Sequence, residues 1–284
     1  QNDLQETNQN KEKDGKRINV EYAIREGKPA ENIVNFAHTK NIDLLIISTH
    51  GSSGLSRWNI SSITQKVLNQ IYLPVLIIRA YNQPEQEYSR VGYRHILLPI
   101  DSSRRAECSL SAGIALAVKK DPGENSQTVN DILQNHNHTR IEGSTIHTKI
   151  ILAAVIKPPE IPIPEPYPIE IETLSEKLMQ VSKQAVSSYL QEMRSRLPVD
   201  CEIRIIESKS VSTAIQDLAN QDEEIDLVVL CAHGHTGESS WPYGSVTQNY
   251  IDHGTKSVLV IQDIERSQVR PTAAEMAAEK SRGR

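Results

Sequence analysis

The chain has 284 residues, of which 24% are charged and 38% hydrophobic, and it carries a formal net charge of −5. That length suits two domains of about 140 residues, and the acidic balance argues against a general nucleic-acid binder, which shows a basic face. No apolar run approaches the roughly 18 residues a membrane span needs, no signal peptide is visible in the polar stretch 1–15, and a single phenylalanine leaves the cores to Ile, Leu, Val and Ala.

Residues 1–16 are polar and charged, and disorder is expected there. From Ile18 to Ile24 apolar and polar residues alternate, as in a half-buried strand. Gly27 ends it, and Pro29 opens a helix with Ile33, Phe36 and Ala37 on one face. The run DLLIIS at 43–48 predicts a strand covered on both faces. Ser61 or Ser62 caps a helix reaching about Ile71, and PVLIIR at 74–79 is the next strand. Residues 81–92 read as a linker, polar with Pro and Gly. HILLPI at 95–100 is then a strand ending at Asp101, with Ser102 and Ser103 as caps for a helix carrying Ala106, Leu110, Ile114 and Ala117. Residues 121–147 form a solvated insertion, 149–156 a buried strand, and 158–168 a stiff Pro-rich stretch. Leu174, Leu178, Val181, Ala185 and Met193 mark a long amphipathic helix. Segments 202–206, 212–220, 226–231, 245–253 and 256–261 alternate strand and helix, and the tail 264–284 is a loose helix or disordered.

Segments 43–78 and 226–261 align without a gap, 183 residues apart. Asp43, His50, Gly51, Gly54, Ser56, Trp58, Ser62, Thr64, Gln65, Val75 and Leu76 reappear as Asp226, His233, Gly234, Gly237, Ser239, Trp241, Ser245, Thr247, Gln248, Val258 and Leu259. The spacing is too long for a solenoid and implies two domains of one kind. The strand–helix alternation makes the chain α/β, with an open parallel five-stranded sheet and helices on both faces. The second copy, 93–263, is complete; the first, 17–80, is partial and lacks the counterpart of strand 95–100. The chain accordingly reads as a fragment of a longer protein, truncated in its first domain.

Ligands of such sheets sit outside the carboxyl ends of the strands, where strand order reverses. Pro99, Ile100 and Asp101, Val155, and Leu230, Cys231, His233 and Gly234 all fall at strand ends. Nine residues later, Gly244, Ser245 and Val246 open a helix whose N–H groups can cradle a phosphate. An Asp at a strand end accepts hydrogen bonds from ribose hydroxyls or adenine, but it equally caps a following helix. His50 and His233 fit a ligand role or a backbone-fixing one, and Trp58 and Trp241 read as packing or lid residues. Cys108, Cys201 and Cys231 suit reduced thiols better than a disulfide framework, with a single bridge left open. His136 and His138 belong to a solvated loop rather than a metal pair. Phosphate-loop, dinucleotide and nucleophile-elbow signatures are missing.

The spacing Cys231-x-x-Gly234, nine residues, Gly244-Ser245-Val246-Thr247 resembles the G-x-x-G-(nine)-G-[ST] loop of the universal stress protein family, and ILLPID at 96–101 resembles that family's opening strand and adenosine-contacting Asp. The resemblance implies a flavodoxin-like or adenine nucleotide α-hydrolase-like sheet and, in one branch, binding of ATP or AMP, with Mg2+ as an optional companion. It also implies dimers, or paired tandem domains, joined through the last strands, here 75–79 and 258–262. Three departures stand out: Cys231 replaces the first loop glycine, loop 235–243 lacks Lys and Arg, and Ser48 and Ser61 replace loop glycines in the first copy. The expectation is a cytoplasmic, non-enzymatic stress-response protein that binds an adenine nucleotide in its second domain as a conformational switch, without nucleic acid and without membrane contact by this chain. The rival readings are a nucleotide-free dimerisation module, a slow ATPase, and the regulatory tail of a membrane transporter.

Overall fold

The computed structural model describes residues 4–13, 16–49, 60–79, 92–103, 105–117, 148–164, 166–234 and 242–263. The partial copy supplies β2 (Lys16–Ile24), α1 (Pro29–Thr39), β3 (Leu45–Ser48), α2 (Ser62–Leu68) and β4 (Val75–Ile78), preceded by β1 (Leu4–Lys13). The complete copy supplies β5 (His95–Pro99), α3 (Cys108–Ala117), β6 (Lys149–Ile156), α4 (Ile169–Arg196), β7 (Cys201–Glu207), α5 (Val211–Gln221), β8 (Leu227–Cys231), α6 (Ser245–His253) and β9 (Ser257–Ile261).

Five strands of the complete copy pair in parallel in the order β7-β6-β5-β8-β9, as the alternation of apolar runs and helical faces requires. The chain starts at β5, steps outward to β6 and β7, then returns to β8 on the other side, so strand order reverses between β5 and β8. Two cores cover the two faces. Leu110 and Ile114 of α3 and Leu190 and Met193 of α4 pack on one side with Ile96, Leu98, Leu227 and Val229. Val34, Val67, Ile215, Tyr250 and Ile251 pack on the other with Leu97, Val228 and Val260. Each fully buried aliphatic side chain contributes roughly 1.5–3 kcal/mol relative to exposure.

The sheet does not stop at five strands. Strand β4 adds antiparallel to β9, and β3 follows it, giving a seven-stranded mixed sheet. The register Val75↔Val260, Leu76↔Leu259, Ile77↔Val258 centres on Leu76 and its own counterpart in the repeat. The junction therefore has the self-complementary pairing of a two-fold dimer interface, formed within one chain. Arg79 locks it: its guanidinium donates to the carbonyls of Tyr250 at 2.9 Å and Ile251 at 2.6 Å, at the C-terminal end of α6 where the helix dipole favours a cation.

Four sequence expectations are corrected. Residues 4–13 are not disordered but form β1, paired antiparallel with β2 from Leu4↔Ile24 to Lys13↔Lys16. Strand β3 and the residues leading into it are covered on one face only: Ile42, Leu44 and Ile46 are 36%, 41% and 60% exposed, because the strand and helix that bury the counterpart face of β8 have no equivalent among the described residues of the partial copy. The long helix α4 buries only Leu190 and Met193, while Leu174, Leu178 and Val181 are exposed. Its 28 residues span about 42 Å, beyond the roughly 27 Å of an eight-residue strand. Finally, Cys108 and Cys231 are joined by a disulfide, leaving Cys201 as the free thiol.

Most of the linker 81–92, the insertion 121–147 with His136 and His138, and the tail 264–284 lie outside the described residues, as do His50, Gly51, Gly54, Ser56, Trp58, Gly237, Glu238, Ser239 and Trp241.

Candidate nucleotide site at the strand-order reversal

The site residues read from sequence gather at the carboxyl edge of β5, β6 and β8. Pro99 pairs with Ala153, and Val155 stands two residues further along β6, level with Asp101. Ile100 and Leu230 are buried beneath the edge, and Asp101 and Ser245 are exposed above it. Asp101 and the β8 turn are fitted to each other: a Cβ built on Gly234 would lie 2.5 Å from Asp101 Oδ2. Any larger residue at 234 therefore displaces this carboxylate. The other carboxylate oxygen, Oδ1, accepts the Ser103 N–H at 3.0 Å, while Ser103 Oγ accepts from Ala106 N at 3.1 Å. Asp101 thus closes an Asx-turn ahead of the helix rather than capping it, and the cap-like bond in this turn is that of Ser103. Between them Ser102 has φ 64°, a left-handed conformation costly for a non-glycine residue and typical of constrained functional loops.

Helix α6 begins differently from its counterpart. In the partial copy, Ser61 accepts the Thr64 N–H at 3.1 Å and closes the start of α2. At the equivalent position of the complete copy stands Gly244, and among the described residues no side chain caps α6. The Gly244 N–H itself is bonded to Ala232 O at 2.8 Å, so the anion-seeking donors of this turn are those of Ser245, Val246 and Thr247. The repeated threonines have one task in both copies: Thr64 Oγ1 donates to Ser48 O and Thr247 Oγ1 to Cys231 O, tying each helix to the end of its strand.

His233 is almost wholly buried, with Nδ1 2.8 Å from Asp263 Oδ1, and its Nε2 has no hydrogen-bond partner among the described residues. With Nδ1–H donated to the aspartate, Nε2 is left as an acceptor able to receive a hydroxyl or water proton. Asp263 escapes sequence reading because it lies two residues beyond the repeat, where the partial copy has Ala80; an acidic residue just past the last strand is the signal available. Arg105, also missed, brings its Nε to 3.8 Å from Asp263 Oδ2 and sets a cation at the same rim.

Cys231, at the position of the first loop glycine, has its side chain committed to α3 through the bond to Cys108. The bridge ties the helix that follows Asp101 to the strand that precedes Gly234, clamping the two halves of the site together. The remaining cysteine, Cys201 on β7, is buried and its thiol is pushed up to about 11 by that burial.

Comparison with known proteins identifies the family and the fold. The model of the universal stress protein family matches residues 1–79 and 143–262. Universal stress protein MJ0531 of Methanocaldococcus jannaschii is 33% identical over 70 residues, 25% of this chain and 39% of that protein, so the matched part spans well under half of the relative. The crystal structure of PA1789 from Pseudomonas aeruginosa, described as functionally unknown, shares the fold over 84% of this chain and 69% of its own at 14% identity and TM-score 0.52. A universal stress protein crystallised with cAMP aligns over 61% of this chain and all of its own at 16% identity and TM-score 0.38. With both copies matched by the family model, the chain belongs to the universal stress protein family.

Proposed function

We propose that the complete copy binds an adenine nucleotide, ATP or AMP, at the β5–β8 reversal and that occupancy acts as a conformational switch in a stress-response protein. The observation that carries this reading is the uncapped start of α6 beside Asp101: three backbone donors at Ser245, Val246 and Thr247 stand where the partial copy has closed its own helix with Ser61. The phosphate would sit on those donors, with Asp101 Oδ2 accepting from the ribose and Gly234 keeping the backbone low enough for approach. The adenine preference comes from the family resemblance rather than from the geometry. Among the described residues charge supply is modest, with Arg105 as the nearby cation, so AMP is expected to bind at least as tightly as ATP. An accompanying Mg2+ would find Asp101 already sharing one oxygen with Ser103.

Isothermal titration with ATP and AMP tests the reading. Saturable binding should fall about tenfold or more in Asp101→Ala, the scale of a lost hydrogen bond to a charged group, while the variant's thermal unfolding stays cooperative. Absence of heat with either ligand, in protein shown free of bound nucleotide, would leave the second reading, a nucleotide-free module whose working parts are its strand edges. The antiparallel β4–β9 junction favours that alternative.

A further inference from the structure

The Cys108–Cys231 bridge belongs to the complete copy alone, since Ser48 stands at the position of Cys231 in the partial one. It adjoins the candidate site from both sides. Cys108 is the first residue of α3, after the segment that starts at Asp101. Cys231 is the last residue of β8, before the turn that carries Gly234. Asp101 and Gly234 meet so closely that a Cβ at 234 would lie 2.5 Å from the carboxylate. The bridge therefore sets the register between the two turns that form the rim.

The Cys231 sulfur has a second partner in reach. Its Sγ lies 2.7 Å from Arg105 O and 3.5 Å from Ala106 O. A bridged sulfur has no proton to give these carbonyls, whereas a thiol at the same place donates to one of them. Each oxidation state of Cys231 thus has its own bond to the segment between Asp101 and α3. The two cysteines also differ in access. Cys231 is 7% exposed, while Cys108 is half-buried at a helix N-terminus, where a thiolate is stabilised. An incoming thiolate therefore reaches Cys108 more readily than Cys231. Cys201, buried on β7 with its thiol pushed up by that burial, stays outside this exchange.

We propose that the bridge is a reversible redox latch on the nucleotide site. A dithiol reductant opens it in the folded protein, the Asp101 segment comes free of the β8 turn, and nucleotide affinity falls. The inference rests on the nucleotide reading given above. One thiolate of the reductant attacks Cys108 Sγ; the bond between the two cysteines breaks and Cys231 leaves as a thiolate. Cys231 takes up a proton from solvent and donates it to Arg105 O. The second thiol of the reductant loses its proton and displaces Cys108 from the mixed disulfide. Two electrons have then passed to the protein, which holds two thiols, and the reductant has become a disulfide. Reoxidation reverses both steps.

The test treats the whole chain with dithiothreitol under native conditions and follows iodoacetamide labelling, hydrogen exchange and AMP titration together. Before reduction no cysteine should label; afterwards Cys108 should, with thermal unfolding still cooperative. Amides of 101–107 should exchange about tenfold or more faster. AMP should bind about tenfold more weakly as the rim loses its preorganisation. Removing the reductant and reoxidising should restore both. Cys108→Ser should behave like the reduced parent and ignore dithiothreitol, and Cys231→Ser, whose hydroxyl can still donate to Arg105 O, should do the same. A bridge that resists dithiothreitol until the chain unfolds would overturn the latch. So would unchanged exchange and unchanged AMP affinity after reduction of protein whose oxidised form binds AMP. No AMP binding by the oxidised protein would instead overturn the nucleotide reading on which the latch rests.

Discussion

The two copies start from closely related sequence and finish in different states. In the complete copy, β8 is buried along its whole length, the helix after it is left uncapped, and a disulfide ties the flanking elements together. In the partial copy, the matching strand is bare on one face and the matching helix is closed by its own serine. The β-turn-helix frame is common property: Thr64 and Thr247 make the same strand-end bond, and Ser61 N–H and Gly244 N–H make the same bond to Thr49 O and Ala232 O. What differs, among the described residues, is which neighbours surround that frame. A duplicated unit can therefore keep its local geometry while its two copies differ in what covers it.

The largest expected effect comes from the bridge that only the complete copy has. The loop between Cys108 and Cys231 spans a sequence separation of 123, and closing a loop of that order stabilises a domain by up to about 5 kcal/mol in the chain-entropy account. Cys108→Ser, measured by urea unfolding against the oxidised parent, should move the midpoint strongly. An unmoved midpoint would mean that the bridge does not hold the two halves of the site.

Matched truncations sharpen the comparison next. Leu227→Ala, at a 0% exposed position, should cost about 2–5 kcal/mol, while Leu44→Ala, at the equivalent position 41% exposed, should cost under about 1 kcal/mol. Equal costs would show that the bare face of β3 is covered in solution. Exchanging the helix starts is a smaller intervention with two readouts. Ser61→Ala should lose about 0.5–2 kcal/mol of stability. Gly244→Ser should stabilise α6 by a few tenths of a kcal/mol, because glycine is already a tolerable cap, while weakening nucleotide by closing the Thr247 N–H, the counterpart of the donor that Ser61 caps. Gain of nucleotide affinity in Gly244→Ser would break the account of the site.

The smallest effect concerns pH. Hydrogen bonds from Arg204 and Lys149 hold the Glu202 carboxyl down to about 2. A depressed carboxyl stabilises the fold above its unfolded value near 4.5, and that contribution is lost as pH falls from there toward 2. Because the group is part-exposed, solvent screening keeps the contribution to about 1 kcal/mol or less. Acid unfolding of Glu202→Gln should be correspondingly shallower over pH 4.5 to 2. The partial copy has Asn19 at the equivalent position and contributes no such dependence.

The parallel sheet was legible because 150–156 and 227–231 are unbroken apolar runs set between helical faces. The strand end at Cys231 and the helix start after Gly244 were legible from spacing and repetition, as was the place of Asp101 just past a strand. Strand β1 was not, since LQETNQNKEK carries no apolar alternation and its order comes from backbone pairing with β2; the Asp14-Gly15 pair, a turn-forming sequence, was the cue to that hairpin. Asp263 and the Cys108–Cys231 bridge join residues far apart in sequence, and contacts of that kind leave no local pattern. The exposure of Ile46 and Leu174 was hidden for the converse reason: periodicity reports which residues share a face, not whether anything covers it.

The most direct measurement is an AMP titration followed at single amides by NMR. The account predicts saturable shifts at Gly234, Ser245, Val246 and Thr247, none at Ser62, Ile63 and Thr64, and loss of the response in Asp101→Ala. Shifts at the start of α2, or no response in either copy of nucleotide-free protein, would contradict the assignment of the site to the complete copy.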